Sequence, residues 1–151
     1  MAMRTVLFVC TGNTCRSPMA EGIARRLQQD GVLPKDLFFA SAGIAASEGL
    51  PVSDETQAVL ASLGMPVEGG SKRLTAAMIR KAYLVLVMTR SHRAAASALV
   101  GNEPEQQAKI MLLDPAGDVT DPIGAGQEAY EEVGRRLLRL LSTRLEGMLT
   151  P

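Results

Sequence analysis

Residues 6 to 18, V-L-F-V-C-T-G-N-T-C-R-S-P, constrain the fold of this chain more than any other stretch. A β-branched and aromatic run, Thr5 to Val9, ends at Cys10. Pro18 then opens a helical pattern with apolar positions at Met19, Ala20, Ile23, Ala24 and Leu27. The stretch therefore reads as strand, tight loop and helix N-terminus, with a thiol at one end of the loop and the Arg16 guanidinium at the other. Such a loop has few uses other than holding a tetrahedral oxyanion against a sulfur nucleophile.

The remaining chain repeats the alternation. Asp36 to Ala42 reads as a second strand leading into Gly43. A helix is predicted over 54–63 with Ser53 as N-cap and Gly64 as its end, and residues 65–71 form a loop containing Pro66, Gly69 and Gly70. A short helix over 76–81 is capped by Thr75. Tyr83 to Met88 is almost continuously apolar, as in a strand covered on both faces in the middle of a parallel sheet. A helix over 90–100 stopped by Gly101, a short strand over 110–113 and a loop over 114–126 with two Asp-Pro pairs follow. From Gln127 a long helix buries Val133, Leu137, Leu140, Leu141, Leu145 and Met148, with Glu131–Arg135 and Glu132–Arg136 as i,i+4 pairs on its wet side. This order predicts an α/β fold, three layers with a central four-stranded parallel sheet between helices. At 151 residues with no linker or repeat, residues 1–151 are expected to form a single domain.

Composition narrows the function. Sixteen basic and sixteen acidic residues cancel, which leaves no footprint for nucleic acid or an anionic membrane. No apolar run approaches the roughly 18 residues of a membrane span, and the N-terminus reads as a first strand rather than a signal peptide. The two cysteines, Cys10 and Cys15, share one loop, where a disulfide would staple almost nothing; reactive thiols in a reducing cytoplasm fit better. With one histidine and no clustered ligands, no metal or other cofactor is expected.

The loop lies beyond the carboxyl end of the first strand, where functional loops of parallel sheets lie. Backbone N–H groups from Thr11 through Gly12, Asn13, Thr14 and Cys15 to Arg16 can curl inward as an anion nest, and the next helix adds the positive end of its dipole. Gly12 permits the sharp turn, and Asn13 tolerates a left-handed conformation. Arg16 offers a bidentate fork to two phosphoryl oxygens. The same field favours the thiolate of Cys10, and Ser17 is placed to donate to its sulfur.

The run V-C-T-G-N-T-C-R-S-P-M-A-E closely resembles the signature C-x-G-N-x-C-R-S-P of the low-molecular-weight protein tyrosine phosphatases, and size and a late Asp-Pro loop extend the resemblance over the chain. It implies attack by Cys10, a phosphocysteine intermediate, and a phosphorylated protein as substrate. The family's acid stands in a late Asp-Pro loop, which makes Asp121 the acid/base here, ahead of Asp114, read as a turn residue, and Asp118. Asn13 and Ser41 resemble positions that brace the loop; the histidine many members add to that network has no counterpart near Gly69. The aromatic walls of phosphotyrosine-selective members are replaced by Ile123 and Ser47, and Thr14 resembles the protein-arginine phosphatase branch. A threonine hydroxyl can pair guanidinium N–H groups that an apolar side chain would leave unpaired. Phosphoarginine is therefore the favoured substrate over phosphotyrosine, with an arsenate reductase or a non-catalytic anion-binding module as other readings. Cys15 is the expected redox partner of Cys10. His92 is expected as a surface or capping residue, Tyr83 and Tyr130 as structural, and the protein as a monomer.

Overall fold

The computed structural model describes residues 3–149. Four strands, β1 (Arg4–Cys10), β2 (Leu37–Gly43), β3 (Leu84–Val87) and β4 (Ile110–Leu112), form one parallel sheet in the order β2-β1-β3-β4. The helices are α1 (Arg16–Gln29), α2 (Asp54–Ser62), α3 (Ala76–Lys81), α4 (Arg90–Leu99), α5 (Pro104–Gln107) and α6 (Gln127–Leu149). Strand side chains alternate between two cores, as the two-residue period requires. Val6, Phe8 and Cys10 face α1 and α6, in one cluster with Met19, Ile23, Leu137 and Leu141. Leu7 and Val9 face the other side, with Ile79 of α3 and Ala96 of α4. The expected three-layer α/β architecture is thus the observed one. Each fully buried Phe or Leu contributes on the order of 2 kcal/mol of transfer free energy, so the two central strands, buried on both faces, anchor the loops at their carboxyl ends.

Most boundaries fall within a residue or two of expectation, and the departures have physical causes. α1 starts at Arg16, two residues before Pro18. The first turn of a helix has no intrahelical use for its N–H groups, so proline in its third position costs nothing there. α5 is too short to show periodicity, and only Pro104 in its first turn marks it. The predicted pairs on α6 do not form. Arg135 binds Glu128 at 2.8 Å, and Arg136 turns to Asp114 at 2.7 Å. Asp114 is nine-tenths buried and needs a cation more than exposed Glu132 does. Burial alone would raise the pKa of Asp114, but Arg136 and the Ala116 N–H outweigh it and hold the carboxyl below its usual range. Tyr130 joins the buried stripe of α6, whereas Met148 sits at its edge. No helix among the described residues is long and apolar enough to cross a membrane.

Gly43 positions the loop directly. A Cβ there would stand 2.5 Å from the Thr11 carbonyl oxygen and 2.9 Å from the Asn13 nitrogen, so only glycine lets the end of β2 approach the 11–15 loop this closely.

Candidate active site

Cys10 ends β1, buried, with its Sγ 3.0 Å from the Ser17 hydroxyl. The loop that separates them is clamped from outside. The carbonyl of Cys10 accepts from Ile44 N–H, that of Thr11 from Ala45 N–H, and that of Thr14 from Ser53 N–H, all at 2.9–3.0 Å. In a trans peptide the N–H of the next residue points opposite to the carbonyl. With these carbonyls turned out to the 44–53 segment, the N–H groups of Thr11's, Gly12's and Cys15's peptides turn inward, which is the geometry of an anion nest. Asn13 takes the left-handed conformation at φ 58° and puts its amide to use on both sides. Its Nδ2 donates to Ser17 and Ser41 Oγ, each at 2.9 Å, and its Oδ1 accepts from Lys72 N–H at 2.8 Å.

Donor counting fixes the direction of this network. Both Asn13 Nδ2 hydrogens are spent, so the Ser41 proton goes to Glu21 Oε1 at 2.8 Å, and Glu21 is held by Arg25 at 2.7 Å. Ser17, already accepting from Asn13, can give its one proton to the sulfur of a Cys10 thiolate at 3.0 Å, a closer acceptor than the Ala42 carbonyl at 3.5 Å. Sequence reasoning missed Glu21, although it stands in the same signature run. The Lys72 backbone N–H braces the loop from the side on which the histidine was missing.

Arg16 is 4% exposed, unusual for a cation without a close ion pair. Its Nη1 donates to the Val119 carbonyl at 2.9 Å, its Nη2 reaches Thr11 Oγ1 at 3.4 Å, and its Nε is buried with no partner. Val119 N–H in turn donates to the Met88 carbonyl at 2.8 Å, so the 114–126 loop is pinned to β3's end and to Arg16 together. Two residues on, Asp121 Oδ2 lies 3.6 Å from Arg16 Nη2, while its Oδ1 accepts from Ile123 N–H at 3.1 Å. The other two aspartates of this loop are engaged elsewhere: Asp118 accepts from Arg90 N–H at the start of α4, and Asp114 holds Arg136. The role of Val119 is carried by its carbonyl, which no side-chain pattern could reveal.

Thr14 is half-buried on the loop, Ile123 is 64% exposed just beyond Asp121, and Ser47 is exposed, its carbonyl accepting from the Ser71 hydroxyl. Cys15 lies buried under the loop, and burial, with Cys10 beside it, pushes its thiol up to about 11. His92 departs from expectation. It is buried rather than superficial, and its Nε2 lies 2.7 Å from Thr11 Oγ1. The helix-capping geometry around it comes from Thr89, whose hydroxyl accepts from His92 N–H. Burial, then the charge of Arg16, lowers the imidazole pKa to about 4, against the pull of Asp118 and Asp121.

The family model of low molecular weight phosphotyrosine protein phosphatases matches residues 5–149. The chain belongs to that family. Among relatives of this phosphatase, a protein-arginine-phosphatase of Geobacillus stearothermophilus is 35% identical over 150 residues, covering 96% of each chain. A low molecular weight protein tyrosine phosphatase from T. tengcongensis has a solved structure with a TM-score of 0.83 at 39% identity, covering 95% of this chain and 99% of its own. A third, YwlE arginine phosphatase as a cysteine-to-serine mutant with a phosphorylated active-site serine, has a TM-score of 0.82 at 29% identity, covering 94% of this chain and 95% of its own. The phosphatase thus shares both sequence and fold with enzymes named for two different phosphorylated side chains.

Proposed function

We propose that this protein phosphatase hydrolyses phosphoarginine in proteins, with Cys10 as nucleophile, Arg16 and the loop amides as oxyanion holders, and Asp121 as general acid and base. The buried, incompletely paired Arg16 beside a buried thiol is the observation that carries the chemistry. A cation in that position, with Nε lacking an acceptor, suits a phosphoryl group that brings several oxygens. The Cys10 sulfur attacks phosphorus in line with the leaving group. The P–N bond breaks as Asp121 gives its proton to the departing guanidine nitrogen, and a phosphocysteine remains. Asp121 then takes a proton from water, whose oxygen displaces the sulfur and releases phosphate. Ser17 stabilises the sulfur as it leaves and returns. The relative with a phosphorylated active-site serine supports attack from this position.

Substrate choice rests on the loops around the site. Residues 11–15, 44–53 and 114–126 contain no aromatic side chain, so a phenyl ring would find nothing to stack on, whereas the Thr14 hydroxyl suits the N–H groups of a guanidinium. Purified protein assayed side by side on phosphoarginine and phosphotyrosine peptides is expected to prefer the former. Thr14→Ile is expected to move the ratio of kcat/KM values towards phosphotyrosine by roughly 10- to 100-fold. A preference of the parent for phosphotyrosine would overturn the substrate assignment, and an unchanged ratio in the variant would remove Thr14 from it.

We propose further that the enzyme acts as a monomer of one domain in the cytoplasm, a reducing compartment that keeps the Cys10 nucleophile a thiol. Both cysteines are free. Peroxide is expected to convert Cys10 to a sulfenic acid, from which Cys15 displaces water to close a Cys10–Cys15 disulfide that thiol reductants reopen. Because Cys15 attacks as thiolate and its pKa is about 11, its thiolate fraction rises about tenfold per pH unit below that value. Disulfide closure measured between pH 7 and 9 should therefore accelerate by roughly 100-fold. Cys15→Ala should lose its recovery after peroxide. Full recovery in that variant would dismiss the protective role.

A further inference from the structure

His92 presses on the loop from α4 yet has no part in the chemistry above. Its imidazole is 5% exposed, and its Nδ1 is buried without a partner. Burying a ring nitrogen unpaired costs stability that a leucine in the same place would not lose. The ring does make one short contact, 2.7 Å from Nε2 to Thr11 Oγ1. That hydroxyl is shared with Arg16, whose Nη2 approaches it at 3.4 Å. A guanidinium only donates, so the hydroxyl oxygen must turn a lone pair to Arg16. A neutral imidazole can either accept the hydroxyl proton or donate to the oxygen, and both arrangements leave that lone pair available. The hydroxyl is held between a ring fixed in the core and the cation.

The rival for the same nitrogen is Asp121, 3.6 Å from Nη2. If the hydroxyl is released, Nη2 loses, among the described residues, its one hydrogen-bonded partner other than the carboxylate, and the guanidinium, still held at Nη1 by the Val119 carbonyl, can turn Nη2 onto Asp121. The fork and the acid would then occupy each other when substrate arrives.

We propose that His92 is a positioning residue of the active site: through the Thr11 hydroxyl it orients the Arg16 guanidinium, so that the cation meets the phosphoryl group rather than Asp121. This rests on the phosphatase reading above. A fork that is correctly oriented only part of the time binds oxyanions more weakly by that fraction, whereas the chemistry after binding is little changed. The loss should therefore fall on KM and on inhibition by inorganic phosphate rather than on kcat.

The experiment compares parent, His92→Leu, His92→Gln, Thr11→Val and the Thr11→Val/His92→Leu double variant, with turnover normalised to folded protein. His92→Leu and Thr11→Val are each expected to raise KM and the phosphate inhibition constant about tenfold, with kcat within about twofold of the parent. The double variant should lose no more than either single one, because both break the same link. His92→Gln, whose amide can reach the hydroxyl, should recover most of the loss. Unchanged phosphate inhibition in His92→Leu, a loss confined to kcat, or additive losses in the double variant would overturn the proposal. If His92→Leu does not fold, Thr11→Val decides, because unchanged phosphate inhibition there overturns it equally. A parent that neither turns over phosphoryl substrates nor binds phosphate would instead overturn the phosphatase reading itself.

Discussion

Cys10→Ser is expected to lower turnover by roughly four orders of magnitude or more while the protein stays folded. A serine hydroxyl is almost entirely protonated at neutral pH, so the strong nucleophile is lost although the position of the attacking atom is kept. The structural cost is small. The side chain is 1% exposed at the end of β1, and the Ser17 hydroxyl can bond to oxygen as it does to sulfur. Exchanging one buried atom in this way costs about 1 kcal/mol and a few degrees of melting temperature. Circular dichroism and a melting curve alongside the rate measurement separate the two effects. Turnover within about tenfold of the parent would remove Cys10 as nucleophile.

Arg16→Lys is the second large effect, with kcat/KM expected to fall about 10³-fold. Lysine keeps the charge but loses the planar fork. It cannot at once donate to Val119, meet Thr11 and leave further N–H groups for phosphoryl oxygens, as the guanidinium does. Two functions fail together. The phosphoryl oxygens lose their bidentate partner, and the 114–126 loop loses the Arg16–Val119 bond that anchors it two residues before Asp121. The signature of this double role is a loss larger with substrates whose leaving group needs protonation than with those whose leaving group departs unaided. An equal loss on both would mean that Arg16 acts on the phosphoryl group alone.

Much of the architecture was legible because it is written locally. Continuous apolar runs mark β1 and β3, and the capping residues Ser53 and Thr75 each accept an N–H from their helix's first turn. The 10–17 loop was legible for the same reason, since thiol, amides, cation and hydroxyl lie within eight consecutive residues. What escaped depends on partners far along the chain. Arg136 had a plausible neighbour one helical turn away, but the deficit of buried Asp114, 22 residues earlier, was greater. His92 has the composition of a surface helix around it, and only the packing of α4 against the sheet drives it beneath Thr11.

By itself the sequence determined the order of the strands and of every helix but α5, and the presence of a thiol, a cation and a row of amides around one tight turn, because those depend on neighbours a few residues apart. The family resemblance singled out Asp121 and Asn13, whereas tertiary structure alone decided how the Asn13 amide is shared among Ser17, Ser41 and Lys72, that Glu21 takes the Ser41 proton, and that His92 meets Thr11. In the order β2-β1-β3-β4, β1 lies between β2 and β3, so the segments following all three converge on one edge of the sheet. Distances of about 3 Å between groups as much as 103 residues apart follow from that packing, and no local pattern encodes them.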